Sequence, residues 1–326
     1  MRFIDKHWKR DHVLGNNRAL MDWQHRCQDG SYNYLLARRD GELLGALGYI
    51  PTTRYDAALR AEKLVWLALW KIRDDSGVAG LGLRMLHALY RMEPAAAYGV
   101  NGINFAHPPM YRSLGYMTGE LDQYFLVNPR AALKLIGGEA PGAPLPTPRP
   151  GSAVFSDLTA GELHEMPKAA FGHDAVPARS PAYFAKRFLA HPFYSYRVLQ
   201  IAADSRARAL MAVRLCEHDG AKALRIVDFA GDEAVIAECG TALDRLLEET
   251  GAEYADFWQF GLSPHFLKSA GFDVAGPQGP VVPTYFEPFM PARGRIVFAI
   301  KSARDADMRI FRADGDQDRP NLIEAR

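Results

Sequence analysis

Apolar positions in the first third of the chain change period twice. Leu64-Val-Trp-Leu-Ala-Leu-Trp70 is an unbroken apolar run of strand length, the pattern of a central strand covered on both faces. Leu83, Leu86, Leu89 and Tyr90 recur at helical spacing. Between the two patterns lies Arg73–Gly82, which holds Gly77, Gly80 and Gly82. A strand that feeds a glycine-rich turn and a helix N-terminus makes an anion site, because unpaired N–H groups and the positive dipole end converge there. The pattern therefore predicts a phosphate-bearing ligand at this turn.

The flanking elements read outward from that stretch. Arg18–Arg26 reads as a short helix. Asp40-Gly41 between Tyr34–Ala37 and Glu42–Ile50 reads as a hairpin turn. Pro51–Glu62 interrupts the sheet. Ala95–Ile103 reads as a strand, His107–Leu114 as a short helix behind two prolines, and Leu121–Val127 as a final strand. The first half is thus α/β, with a βαβ-like unit across the glycine turn.

Ile136–Gly151 carries five prolines and reads as a linker and domain boundary. Beyond it the order of elements repeats. Tyr194–Ile201, Leu210–Cys216 and Leu224–Phe229 read as strands, with Asp219-Gly220 as a second hairpin turn. Glu233–Glu249 reads as one helix and Tyr254–Phe260 as the next strand. Phe266-Leu-Lys-Ser-Ala-Gly-Phe272 matches Met110-Tyr-Arg-Ser-Leu-Gly-Tyr116, which reads as a diverged tandem duplication. Arg295–Ile300 reads as a last strand. The expected division is a domain over 1–135, a linker over 136–152, a second domain over 153–304 and a charged tail over 305–326.

Bulk composition narrows the function classes. The 326 residues suffice for two ordinary domains, and 48% hydrophobic with 24% charged residues fits a folded globular chain. Lys plus Arg of 39 against Asp plus Glu of 38 argues against a partner held by phosphate neutralisation, so no nucleic acid is expected. Cys27, Cys216 and Cys239 are odd in number and scattered, which fits a reducing compartment and no thiolate metal site. The opening residues are polar and no run approaches the roughly 20 apolar residues that span a bilayer. A cytoplasmic protein without membrane insertion is expected. No metal site is expected either: Asp314–Asp318 mimics the start of a calcium loop, but Arg319 and Ala325 stand where such a loop needs Gly and Glu.

Gly80 and Gly82, with Asn104, Tyr111, Gly115 and Tyr116 at their spacing, resemble the GNAT family of acyl-CoA-dependent N-acyltransferases. The Arg/Gln position of that family's loop is taken here by Gly77. The resemblance covers about Arg18–Asn128 well and the later part only by element order. It implies two tandem domains of that fold, each a mostly antiparallel mixed sheet flanked by helices. It also implies acyl transfer, acetyl transfer first, from acetyl-CoA or another acyl-CoA to an amine. Backbone around Val78, Ala79, Gly80, Leu81, Gly82 and Leu83 would hold the pyrophosphate. Backbone near Leu69 and Trp70 would polarise the thioester carbonyl. Tyr111 would protonate the leaving thiolate, and Asn104 would orient the CoA arm or a water.

The base for the amine is expected among Glu62, Asp74 and Asp56, with Glu62 placed first. The second half has Leu267 and Phe260 at the Tyr111 and Asn104 positions. Its turn, Ala230-Gly-Asp-Glu233, sets two acids where a phosphate would sit, so it is not expected to bind CoA. The long Pro51–Glu62 segment, with Arg54, Tyr55 and Asp56, is the expected acceptor-binding loop. The acceptor is expected to be a small-molecule primary amine, an amino sugar or its nucleotide-linked form among the candidates. The alternatives are a Fem-type transferase using aminoacyl-tRNA and a non-catalytic binding module of the same fold.

Overall fold

A computed structural model describes residues 1–137, 144–171 and 175–323. The chain divides into two compact units. The first comprises Met1–Gly119, Val297–Asp305 and Gly315–Arg326, and the second comprises Glu120–Ile296 and Ala306–Asp314. Among the described residues no helix is long and apolar enough to cross a membrane.

In the first unit, helices α1 (Arg2–His7), α2 (Val13–Asn16) and α3 (Arg18–His25) precede strands β1 (Tyr34–Arg39) and β2 (Glu42–Pro51). Asp40 and Gly41 both have positive φ, as the expected two-residue hairpin requires. Next come β3 (Leu64–Ile72), α4 (Leu81–Met92), β4 (Ala97–Asn101), α5 (Pro108–Ser113) and β5 (Met117–Glu120). The central apolar run is indeed the buried strand β3, antiparallel to β2 and parallel to β4. Leu86 and Leu89 of the predicted stripe pack with Met85 against Leu47, Val65 and Leu67, and Tyr90 lies against the same cluster, whereas Leu83 is exposed.

Two strands belong to other sheets than their place in the sequence implies. Val297–Ser302 lies between β4 and β5 in the first unit's six-stranded sheet. Strand β6 (Asp122–Val127), expected to close the first half, pairs with Tyr254–Phe260 in the second unit. Both are largely buried apolar strands, and their pattern demands burial without naming the neighbour that supplies it.

The second unit is built on an eight-stranded sheet. Along it run Asp273–Val274, β6, Tyr254–Phe260, Ala221–Gly231, Arg206–His218, Tyr196–Ala203 and Val154–Asp157, with Ile310–Phe311 paired to Tyr254–Phe260. The Asp219-Gly220 turn forms as expected, with both φ positive. The expected single helix is two: a 3-10 turn over Glu233–Glu238 and an α-helix over Gly240–Thr250. They part at Gly240, where any side chain would collide with the Arg149 carbonyl.

That contact also corrects the linker. Its described part, residues 144–151, is packed rather than free; residues 138–143 lie outside the described residues. Arg149 donates its N–H to the Ala270 carbonyl at 3.0 Å, and the Pro146 carbonyl accepts from Val127 at 2.7 Å. Proline fixes an extended backbone, and glycines at 240 and 271 let that backbone lie against two helix ends. The charged tail is likewise packed, with Ile310, Phe311, Ala313 and Asp314 fully buried.

Candidate functional site

The pairing of β3 with β4 stops at Trp66–Gly99. Two local features make it stop. Gly99 lies under the Trp66 ring, so that a Cβ there would sit 2.5 Å from Cζ3. One residue on, β3 carries a bulge against β2: Leu67 faces Tyr49 and Leu69 faces Gly48, leaving Ala68 as the extra residue. A bulge bends its strand and leaves backbone groups outside the ladder. Beyond it the strands separate, and a cavity of about 390 Å³ opens between them.

All of its lining residues belong to the first unit. Leu69, Trp70, Gly82, Asn104 and Tyr111 are among them. Leu69 and Trp70 come from the bulged half of β3. Gly82 comes from the first turn of α4, where a Cβ would stand 3.3 Å from the Trp70 ring. Asn104 and Tyr111 come from the loop and helix after β4.

Tyr111 is 4% exposed, its ring edge-on to Trp70 at 6.5 Å and to Tyr116 at 5.3 Å. Its hydroxyl has no hydrogen-bond partner among the described residues, whereas Tyr90 and Tyr116 share a hydroxyl–hydroxyl bond of 2.7 Å. Burial, with Tyr90 adding to it, pushes the Tyr111 phenol well above its ordinary value. It stays protonated across the neutral range. Asn104 is exposed, and its Oδ1 accepts the Ala106 N–H at 3.0 Å, closing the turn into α5.

The glycine turn enters α4 through two left-handed glycines. Gly77 and Gly80 have φ of 62° and 67°, and a Cβ at either position would meet nothing within 4 Å. Gly80 is the N-cap of α4 and no side chain caps it. The first N–H groups of such a helix have no intrahelical partner. Val78, Ala79, Leu81 and Leu83 complete this turn. Arg84 follows in the first turn of α4, exposed and with no ion pair among the described residues. It stands one turn past Gly80, whereas Gly77 holds the loop position itself.

The expected base and acceptor residues stand elsewhere. Glu62 precedes β3 at the end opposite the bulge and does not line the cavity. Asp74 is exposed and paired with Lys71 at 2.7 Å. Arg54 turns inward to the last carbonyls of α3, donating to Asp22, Trp23 and Arg26, and so caps that helix. Tyr55 is 6% exposed and packs on Trp23. Asp56 accepts the Ala58 N–H at 2.9 Å and caps the following turn. A long polar loop reads as a binding loop in sequence, but here its side chains satisfy the loop's own backbone and the helix end beside it.

Among the described lining residues there is no carboxylate; the titratable groups are Tyr111 and His107. In sequence His107 stands apart from any metal-ligand partner and attracts no role on that ground. Its i, i+4 spacing from Tyr111, one helical turn, is the signal that could have found it.

In the second unit the corresponding gap between parallel strands is filled. There the parallel pairing of Ala221–Gly231 with Tyr254–Phe260 ends at Ile226–Phe257. The gap beyond is filled by Ile310–Asp314. Ala313 donates to the Val227 carbonyl at 3.0 Å and Arg312 to that of Trp258 at 3.3 Å. Arg179 fixes the segment by bridging Asp228 at 2.5 Å and Asp314 at 2.7 Å. What is left is a cavity of about 20 Å³. The acids of the 230–233 turn are also occupied: Asp232 accepts from Ala234, and Glu233 from Ser263 and Arg309.

No family model matches the chain, and no curated protein matches it. Solved structures do. A GCN5-related N-acetyltransferase from Anabaena variabilis ATCC 29413 superposes with a TM-score of 0.50 at 10% identity, over 84% of this chain and 63% of that one. One from Kribbella flavida gives a TM-score of 0.46 at 11% identity, over 84% and 60%. On the first of these, this chain has the fold of the GCN5-related N-acetyltransferases. It spans less than two thirds of the length of both relatives in structure.

Proposed function

We propose that the first unit is an acyl-CoA-dependent N-acyltransferase acting on a primary amine of a small molecule, with acetyl-CoA as the first donor to test. The observation that carries this reading is the cavity between the parted strands β3 and β4, with the buried Tyr111 phenol on its wall and the Gly77–Gly82 cradle beside it. The N–H groups of the cradle and the Arg84 guanidinium would hold the donor's pyrophosphate. Backbone N–H freed by the bulge near Leu69 and Trp70 would bind the thioester oxygen as charge develops on it. Tyr111 would give its proton to the departing thiolate, a transfer suited to a phenol kept neutral by burial. The acceptor class, with amino sugars as candidates, is the finer part of the proposal.

The test is donor binding. Acetyl-CoA at about 100 times its dissociation constant should stabilise the protein by roughly 2.7 kcal/mol, read by thermal or urea denaturation. A protein whose unfolding is unmoved by millimolar acetyl-CoA is not an acyl-CoA enzyme.

A further inference from the structure

An amine that attacks a thioester must lose protons, so the site needs a group to take them. In water most primary amines begin as ammonium ions, and the lone pair is freed only when the first proton leaves. Residues that sequence reasoning offers for this task do not reach the cavity. Glu62 lies before the far end of β3, Asp74 is tied to Lys71, and Asp56 caps the turn at Ala58. The cavity wall offers an imidazole instead. His107 lines it, is exposed to solvent, and makes no hydrogen bond with its ring among the described residues. The Tyr111 N–H bonds to the His107 carbonyl at 3.2 Å, which fixes the two residues one helical turn apart. An imidazole at the cavity wall that also meets solvent is placed to take a proton from an amine and release it to water.

We propose that His107 is the proton acceptor of the transfer reaction; this rests on the acyltransferase reading of the same cavity. His107 takes one proton from the ammonium and passes it to water. The freed nitrogen attacks the carbonyl carbon, forming the C–N bond. The C–S bond then breaks as the sulfur takes the Tyr111 proton, and the second proton on nitrogen restores the phenol. Amide, free thiol and one released proton balance the ammonium and the thioester.

The experiment compares the wild-type chain with His107→Gln. Acetyl-CoA binding is measured first by calorimetry, then thiol release with glucosamine and with water as acceptors across pH 5–9. The imidazole C–H signal of His107, assigned by its loss in the variant, is followed by NMR as acetyl-CoA is added. His107→Gln should bind acetyl-CoA within about two-fold of wild type, and should lose about 10²–10⁴-fold in thiol release together with the acidic limb of the pH profile. The wild-type His107 signal should shift on donor binding. If acetyl-CoA binds but that signal stays put, or the variant keeps the acidic limb, the role of His107 is overturned while the acyltransferase reading stands. If the wild type does not bind acetyl-CoA, both fall.

Discussion

The Trp66 ring covers the Cα of Gly99 so closely that a methyl group there would stand 2.5 Å from Cζ3. This contact sits at the last paired position of β3 and β4, immediately before the strands part. The indole is 2% exposed and has no room to retreat. Gly99→Ala should therefore cost about 1–3 kcal/mol, the usual penalty for overpacking a core. Urea denaturation would measure it, and a neutral substitution would show that the ring is not held there.

Tyr111→Phe removes one hydroxyl and leaves the ring packing against Trp70 and Tyr116 intact. The variant should fold and bind acetyl-CoA like the wild type while thiol release falls by about 10²–10⁴-fold. An unchanged rate would remove Tyr111 from the chemistry.

Arg54 donates to three carbonyls at the end of α3, not to a ligand. Arg54→Ala should lower stability by roughly 2 kcal/mol, the scale for hydrogen bonds made by a charged group. Its KM for the acceptor should stay at the wild-type value. A raised KM with unchanged stability would return the Pro51–Glu62 loop to the acceptor site.

His25 is fully buried, and burial lowers its imidazole from the ordinary value of 6.5 to about 4. The folded protein thus holds fewer protons than the unfolded chain between those values. Stability is then complete above pH 6.5 and falls as the pH drops toward 4, by an amount on the order of 3 kcal/mol for this group. His25→Gln should flatten that part of the profile in pH-dependent denaturation. A parallel fall in the variant would assign the loss to other groups.

The second unit's strands part at Ile226–Phe257, and Ile310–Asp314 fills the opening. Calorimetry should accordingly find one acetyl-CoA per chain. Two equivalents bound would mean that this segment yields to the donor.

Local pattern alone determined a good deal of this protein. The β3 run, the amphipathic face of α4, both Asp-Gly hairpin turns and the Tyr254–Phe260 strand follow from spacing over fewer than a dozen residues, because periodicity and turn chemistry act within one element. The glycine turn before α4 and the short helix that carries Tyr111 were legible for the same reason. Tertiary structure decided what no short window contains. Val297–Ser302 and β6 read as ordinary strands, and only long-range pairing sets which sheet receives each. Arg54, Tyr55 and Asp56 read as a binding loop until the end of α3 is found beside them. Glu62 is close to β3 in sequence, but a strand rises about 3.3 Å per residue, so its first and last residues face different surroundings. The end of the β3–β4 pairing falls where Trp66 covers Gly99, a contact between residues of two strands that lie far apart in the chain.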